Sequence, residues 1–307
     1  MSDDHLSSTP RVALVTGGTD GIGREVALAL AGSGDRVLIT GRDPAKGREV
    51  LSGLLERGPG VDHRFLAADL SLLGETDRLA DDVLHGTERV DAVVCCAGLL
   101  TTVPEWTEEG LERTLVLNYL SRYALLRRLL PRLTEAPSGR VVLVANAGRY
   151  RDTLDLDDLQ LRHGRPGLRV SGRTQFACDL LAVELAERLR GTRVEVTCVY
   201  PGVVKTSLFD HATGLPRLAR VLAPPLVARF GLSPEAAADT PVWLAHAPDA
   251  VGTGGQFFGP HRKPITIPRR VRRSDRRRDL WQVSEDLVTA AGRPEPSAGA
   301  RRGHSPG

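Results

Sequence analysis

From Arg11 to about Arg193, short and almost continuously apolar runs alternate with longer stretches in which Leu, Val and Ala recur at helical spacing. The apolar runs are Val12–Thr16, Val37–Thr40, His63–Ala67, Ala92–Cys95, Val141–Val144 and Val194–Val199, and Phe257-Phe258 offers a seventh. Runs without polar alternation suit strands buried on both faces, so the pattern predicts a parallel sheet. The intervening stretches Ile22–Ala31, Pro44–Arg57, Leu111–Leu133 and Thr174–Arg190 are long enough to be the crossover helices such a sheet requires. Asp43 before Pro44 reads as an N-cap with proline at the first helical position, and Gly191 stands where a helix should stop before the sixth strand. The expected architecture is α/β, a doubly wound parallel sheet in one domain.

After Pro264 the composition changes. Arg269, Arg270, Arg272, Arg273, Arg276, Arg277 and Arg278 flank a short amphipathic stretch through Trp281, Val283, Leu287 and Val288, which predicts one helix packing back on the domain. Residues 293–307 contain no Val, Ile, Leu, Phe, Trp or Tyr and cannot join a core. The expected organisation is a disordered N-terminus over 1–10, the sheet domain over 11–266, the C-terminal helix over 267–292 and a disordered tail over 293–307.

Composition narrows the function. Lys plus Arg number 41 against 38 acidic residues, and the formal charge of +3 argues against a nucleic-acid partner or an anionic membrane. The arginine run has no interleaved aromatic residues and reads as a solvated helix flank. No apolar run approaches the roughly 20 residues of a membrane span. Cys95, Cys96, Cys178 and Cys198 contain no C-x-x-C, so neither a disulfide framework nor a metal site is expected. These features predict a soluble, cytoplasmic protein.

Directly after the first strand, Thr16-Gly17-Gly18-Thr19-Asp20-Gly21-Ile22-Gly23 opens a helix. In that position Gly17 permits the tight turn, Gly21 lets backbone approach a pyrophosphate, and Gly23 allows close packing of the helix, whose N-terminus faces the phosphates. With its Thr-Gly-x-x-x-Gly-x-Gly spacing, the chain resembles the short-chain dehydrogenase/reductase family, which has the Rossmann fold. Asp69-Leu70 matches the family's adenine-contacting position, and Ala97-Gly98 the end of its Asn-Asn-Ala-Gly motif. Pro201-Gly202, with Val204 and Thr206, matches the loop over the nicotinamide. The resemblance spans about 11–287. Leu117-Asn118-Tyr119-Leu120, Glu184–Leu189, Ser233-Pro234-Glu235 and Leu280–Glu285 look most like the retinol-dehydrogenase-like branch. It implies a cofactor site of Gly17, Thr19, Gly21, Ile22, Gly23, Arg42, Asp69, Leu70, Ala97, Gly98, Pro201, Gly202, Val204 and Thr206. At the end of the second strand Gly41 offers no carboxylate to a ribose 2′-hydroxyl, whereas Arg42 can pair with a 2′-phosphate, so NADP is the expected cofactor. Asp69 has the alternative role of capping a helix that starts near Ser71.

The catalytic pattern of the family is broken. Its tyrosine, ordinarily of pKa about 10, is made more acidic by a lysine four residues later and protonates the alkoxide left by hydride transfer. Alignment through Glu184-Leu185-Ala186 puts Ser171 at the tyrosine position and Gln175 at the lysine position, and no Tyr-x-x-x-Lys occurs anywhere in the chain. Asn146 stands at the family's serine, Cys95-Cys96 at two asparagines, and only Asn118 is retained. Ser171 reads as the N-cap of the helix through Gln175, and Tyr150 and His163 are the substitute acids favoured by pKa.

Three readings stay open: an NADP-dependent oxidoreductase acting on an apolar small molecule such as a conjugated enone or quinone, a redox-neutral cyclase, dehydratase or isomerase with structural NADP, and a non-catalytic NADP-binding subunit. Assembly into a homo-oligomer is left open by the sequence.

Overall fold

The computed structural model describes residues 9–164, 166–205, 214, 225 and 227–291. Their elements run β1 (Val12–Thr16), α1 (Gly21–Gly32), β2 (Arg36–Gly41), α2 (Pro44–Arg57), β3 (Arg64–Ala67), α3 (Leu73–Gly86) and β4 (Ala92–Cys95). There follow α4 (Arg113–Leu115), a π-helical turn (Val116–Leu120), α5 (Ser121–Thr134), β5 (Gly139–Val144), α6 (Arg169–Arg188) and β6 (Val194–Val199). The C-terminal part holds α7 (Pro234–His246), β7 (Phe257–Phe258), β8 (Pro264–Ile265), α8 (Arg269–Arg272) and α9 (Ser274–Ala291).

The sheet has the order β3-β2-β1-β4-β5-β6-β7-β8, with every pair parallel except β7 and β8. Alternate residues of each strand feed two cores. Val12 and Leu14 point to the layer that holds α3, α5 and α6, while Ala13 and Val15 point to the layer of α1 and α7. Two-sided burial is the reason these strands carry so few polar side chains. The chain leaves β1 in one direction toward β2 and β3 and returns to β4 on the other side. A crevice therefore opens between β1 and β4 at their carboxyl ends, where α/β sheets bind ligands.

The doubly wound α/β sheet predicted from the pattern is present, Asp43 does cap α2, accepting from Ala45 N at 2.8 Å, and Phe257-Phe258 is a strand. Several details differ. The stretch 111–133 is not one regular helix: Glu112 caps α4 through the Thr114 and Leu115 amides, and a π turn precedes α5. Helix α6 begins at Arg169, five residues before the expected start, so Ser171 lies inside its first turn and is not an N-cap. Helix α3 starts at Leu73, and its first amides are held by the distant Glu109, at 2.7 Å to Leu73 N and 2.8 Å to Gly74 N. Asp69 instead closes a turn onto Ser71 N and Oγ. The C-terminal segment is two helices, and β8 was not foreseen. Residues 1–8 and the expected tail 293–307 lie outside the described residues.

Helix α9 is seated by specific contacts. Trp281 packs edge-on against Tyr123 at 4.9 Å between ring centroids, Tyr119 Oη meets Ser284 Oγ at 2.7 Å, and Tyr123 Oη donates to Glu285. Among the described residues no helix is long and apolar enough to cross a membrane.

Candidate active site

A cleft of about 760 Å³ lies at the carboxyl ends of β1, β2 and β4 and is lined by the glycine loop, Gly41-Arg42-Asp43, Lys46, Ala68, Leu70 and the segment 96–101. Asp20 caps α1 by accepting from Gly21 N at 2.7 Å, and Asp20, Gly21, Ile22 and Gly23 of this helix start line the cleft. Gly17 and Gly21 hold φ of 65° and 50°, a conformation costly for residues with a Cβ. A Cβ on Gly23 would stand 2.2 Å from Gly17 O, so no other residue fits there. This cradle suits a pyrophosphate. At its outer end Arg42 is mostly exposed and 3.9 Å from Asp69, and Lys46 reaches Asp20 at 3.2 Å, so two cations border this end of the cleft, each beside a carboxylate. A Cβ on Gly41 would lie 2.5 Å from Thr19 Oγ1, so any side chain at this position would have to displace Thr19. Lys46 carried no sequence signal, because its relevance depends on α2 turning its first face back to the glycine loop.

At the other end of the cleft, Asn118 fixes the chain after β4: its Oδ1 accepts from Leu99 N at 2.8 Å and its Nδ2 donates to Leu99 O and Thr174 Oγ1. Ser171 is buried and doubly engaged, accepting from Thr101 N at 2.9 Å and donating to Thr101 O at 2.8 Å. Its hydroxyl therefore binds the backbone and offers no free proton. Gln175, half-buried one turn later, has no side-chain hydrogen bond among the described residues.

Asn146 follows β5 in a tight turn. Ala147 holds φ of 43°, and Gly148, at φ 81°, has no room for a Cβ because Pro268 Cδ would be 2.7 Å away. The turn is gripped from two sides. Gly148 N donates to the buried Asp179 at 2.8 Å, and Arg270 donates to Gly148 O at 2.7 Å and Tyr150 O at 3.1 Å. Burial pushes the Asp179 carboxyl up to about 7. Neither Asp179 nor Arg270 was legible as a site residue, since they come from α6 and α8.

The substitute acids separate. Tyr150 lays its ring on Gly172, beside Ser171, where a Gly172 Cβ would be 3.2 Å from it. Burial, and secondarily Tyr200, raises its phenol above the ordinary value, which weakens it as an acid. His163 has an 89% exposed side chain facing Asp158 and is outside the cleft. Cys96 borders the cleft, but burial pushes its thiol up to about 12, so it is no nucleophile at neutral pH. Asn146, Ser171, Gln175, Pro201 and Gly202 are absent from the cleft lining. Gly202, with φ of 90°, packs toward Leu232, to which Val204 is bridged. Thr206 lies outside the described residues.

The short chain dehydrogenase family model matches residues 11–152. Polyprenol dehydrogenase of Mus musculus is 35% identical over 92% of this chain and 85% of its own. Retinol dehydrogenase 14 of Mus musculus is 30% identical over 91% and 86%. A solved short-chain dehydrogenase from Shigella flexneri, complexed with NADP, superposes with TM-score 0.64 at 26% identity, covering 81% of this chain and 96% of that one. The chain is therefore a member of the short-chain dehydrogenase/reductase family, an oxidoreductase fold. Within the family it stands in the retinol-dehydrogenase-like branch.

Proposed function

We propose that this chain is an NADP(H)-dependent oxidoreductase whose acceptor is a lipophilic molecule with a conjugated carbonyl, an enone or a quinone, rather than a saturated ketone. The observation that carries the reading is a contrast between the two ends of one site. The phosphate end is fully built, with Arg42 and Lys46 beside a glycine cradle, while at the redox end Ser171 is engaged by the Thr101 backbone and Gln175 brings no charge. Bound NADPH supplies a hydride. The anion formed on a saturated ketone is a strong base that requires a good acid, and none of the groups here is one: Asn146 donates only a hydrogen bond, and the Tyr150 phenol is weakened by burial. Hydride delivered to the β-carbon of an enone, or to a quinone, would leave an enolate or hydroquinone anion, which is far less basic, so hydrogen bonding suffices and solvent completes the protonation. Retinol and polyprenol, which name the relatives, are lipophilic allylic alcohols, and what they support is the lipophilic character of the acceptor, since reducing their enals at the carbonyl would leave an alkoxide as basic as a saturated one.

The Thr101 clasp on Ser171 also favours a second reading, an NADP(H)-binding protein without turnover. Calorimetric titration with NADPH and NADH, then loss of NADPH absorbance with a quinone, an enone and cyclohexanone, separates the two. The expected result is NADPH binding at least tenfold tighter than NADH, with turnover of the conjugated acceptors alone. Comparable turnover of cyclohexanone would overturn the proposal, and tight binding with no acceptor consumed would establish the second reading.

A further inference from the structure

Arg122 lies on α5 one turn after Asn118, and only 3% of it is exposed. Its two terminal nitrogens donate to Val144 O at 2.9 Å and Ala97 O at 2.8 Å, so the guanidinium spans the carboxyl ends of β4 and β5. It touches Cys178 Sγ at 3.7 Å, its Nε is buried with no partner, and among the described residues it forms no ion pair. A Cβ on Gly98 would be 3.8 Å from it, which places the charge directly beneath the Ala97-Gly98 backbone that lines the cleft. A guanidinium stays protonated even here. The molecule thus buries a cation balanced by carbonyl dipoles, beneath the cleft segment that Asn118 holds through Leu99 and Ser171 holds through Thr101. An unpaired buried charge is costly to keep, which asks for a reason beyond packing.

We propose that Arg122 is a fixed positive charge beneath the nicotinamide end of the cleft, standing in for the ammonium that Gln175 lacks and favouring the reduced cofactor over the oxidised one. The inference rests on the NADP(H) reading above but not on the identity of the acceptor. The oxidised nicotinamide ring carries a positive charge and the reduced ring none. A nearby buried cation penalises only the former, by a factor on the order of ten for charges roughly 12 Å apart at an effective dielectric of about 20, and by more if they are closer. The phosphates are common to both forms and cancel in the ratio.

The test is the ratio of dissociation constants, NADP⁺ over NADPH, measured by titration for wild type, Arg122→Lys, Arg122→Gln and Arg122→His. Wild type and the lysine variant should show a ratio of about ten or more, and the glutamine variant a ratio near one. Loss of the two carbonyl hydrogen bonds alone would weaken both forms equally and leave the ratio unmoved. The histidine variant should match wild type at pH 5.5 and fall below it at pH 8, each compared with wild type at the same pH because Asp179 titrates in this range. A wild-type ratio near one, or an unchanged ratio in a folded glutamine variant, would overturn the proposal. Should that variant not fold, a histidine variant that tracks wild type at both pH values overturns it equally. Failure of the acceptor panel leaves this ratio standing, and absence of any cofactor binding refutes the function reading itself.

Discussion

Asp179 gives a prediction that needs no substrate. The carboxyl is fully buried, accepts one backbone amide from Gly148 and faces the Cys198 thiol at 3.5 Å, and desolvation lifts it from the ordinary 3.8 to about 7. The native state therefore holds this proton more tightly than the unfolded chain. Stability from this group is complete below about pH 4, declines as pH rises and is lost once pH passes about 7. Over the window from pH 5.5 to 7 the decline is about 1.5 pH units at about 1.4 kcal/mol each, so about 2 kcal/mol. Asp179→Asn keeps an oxygen for the Gly148 amide and does not titrate. Urea unfolding of both proteins at pH 5.5 and pH 8 should therefore show the variant gaining about 2 kcal/mol on wild type between the two conditions, whatever its offset at pH 5.5. Stability curves that run parallel within about 0.5 kcal/mol across this window would refute the reasoning, since they would mean that the native carboxyl is already ionised at pH 5.5.

Other perturbations follow from the same contacts. Arg42→Ala should weaken NADPH binding by tenfold or more and leave NADH binding unchanged, measured by calorimetry. Gly41→Asp should lower affinity for both cofactors because its Cβ meets Thr19, whereas the double change with Thr19→Gly should bind NADH better than the single variant does. Glu112→Gln, which strips the partner from buried Arg173, should cost about 3–5 kcal/mol in urea unfolding. Truncation after Arg273 removes α9 and exposes Tyr119 and Tyr123, and should lower the thermal midpoint by several degrees or more, read by circular dichroism.

The alternation of the first six strands with helices was legible from the chain, because two-sided burial and helical spacing write themselves into which positions are apolar, while α3, α7 and β8 were not. The sequence also located the glycine cradle, since a positive φ or a close backbone approach admits few residues, and Gly17, Gly21 and Gly23 each answer such a demand. The loss of Tyr-x-x-x-Lys was likewise plain from residue identities. The surroundings of Ser171, Tyr150 and His163 emerged only from the three-dimensional arrangement. Ser171 looked like a helix cap because its neighbours fit one, yet α6 starts earlier and the hydroxyl turns to the backbone of Thr101, seventy residues away in the chain. Tyr150 and His163 were equal on paper, and the path of one loop laid the first on α6 and left the second in solvent. Asp179, Arg270 and Arg122 gave no local sign at all. A buried charge acquires its meaning from the carbonyls, amides and strand ends brought against it, and those come from segments that local pattern does not connect.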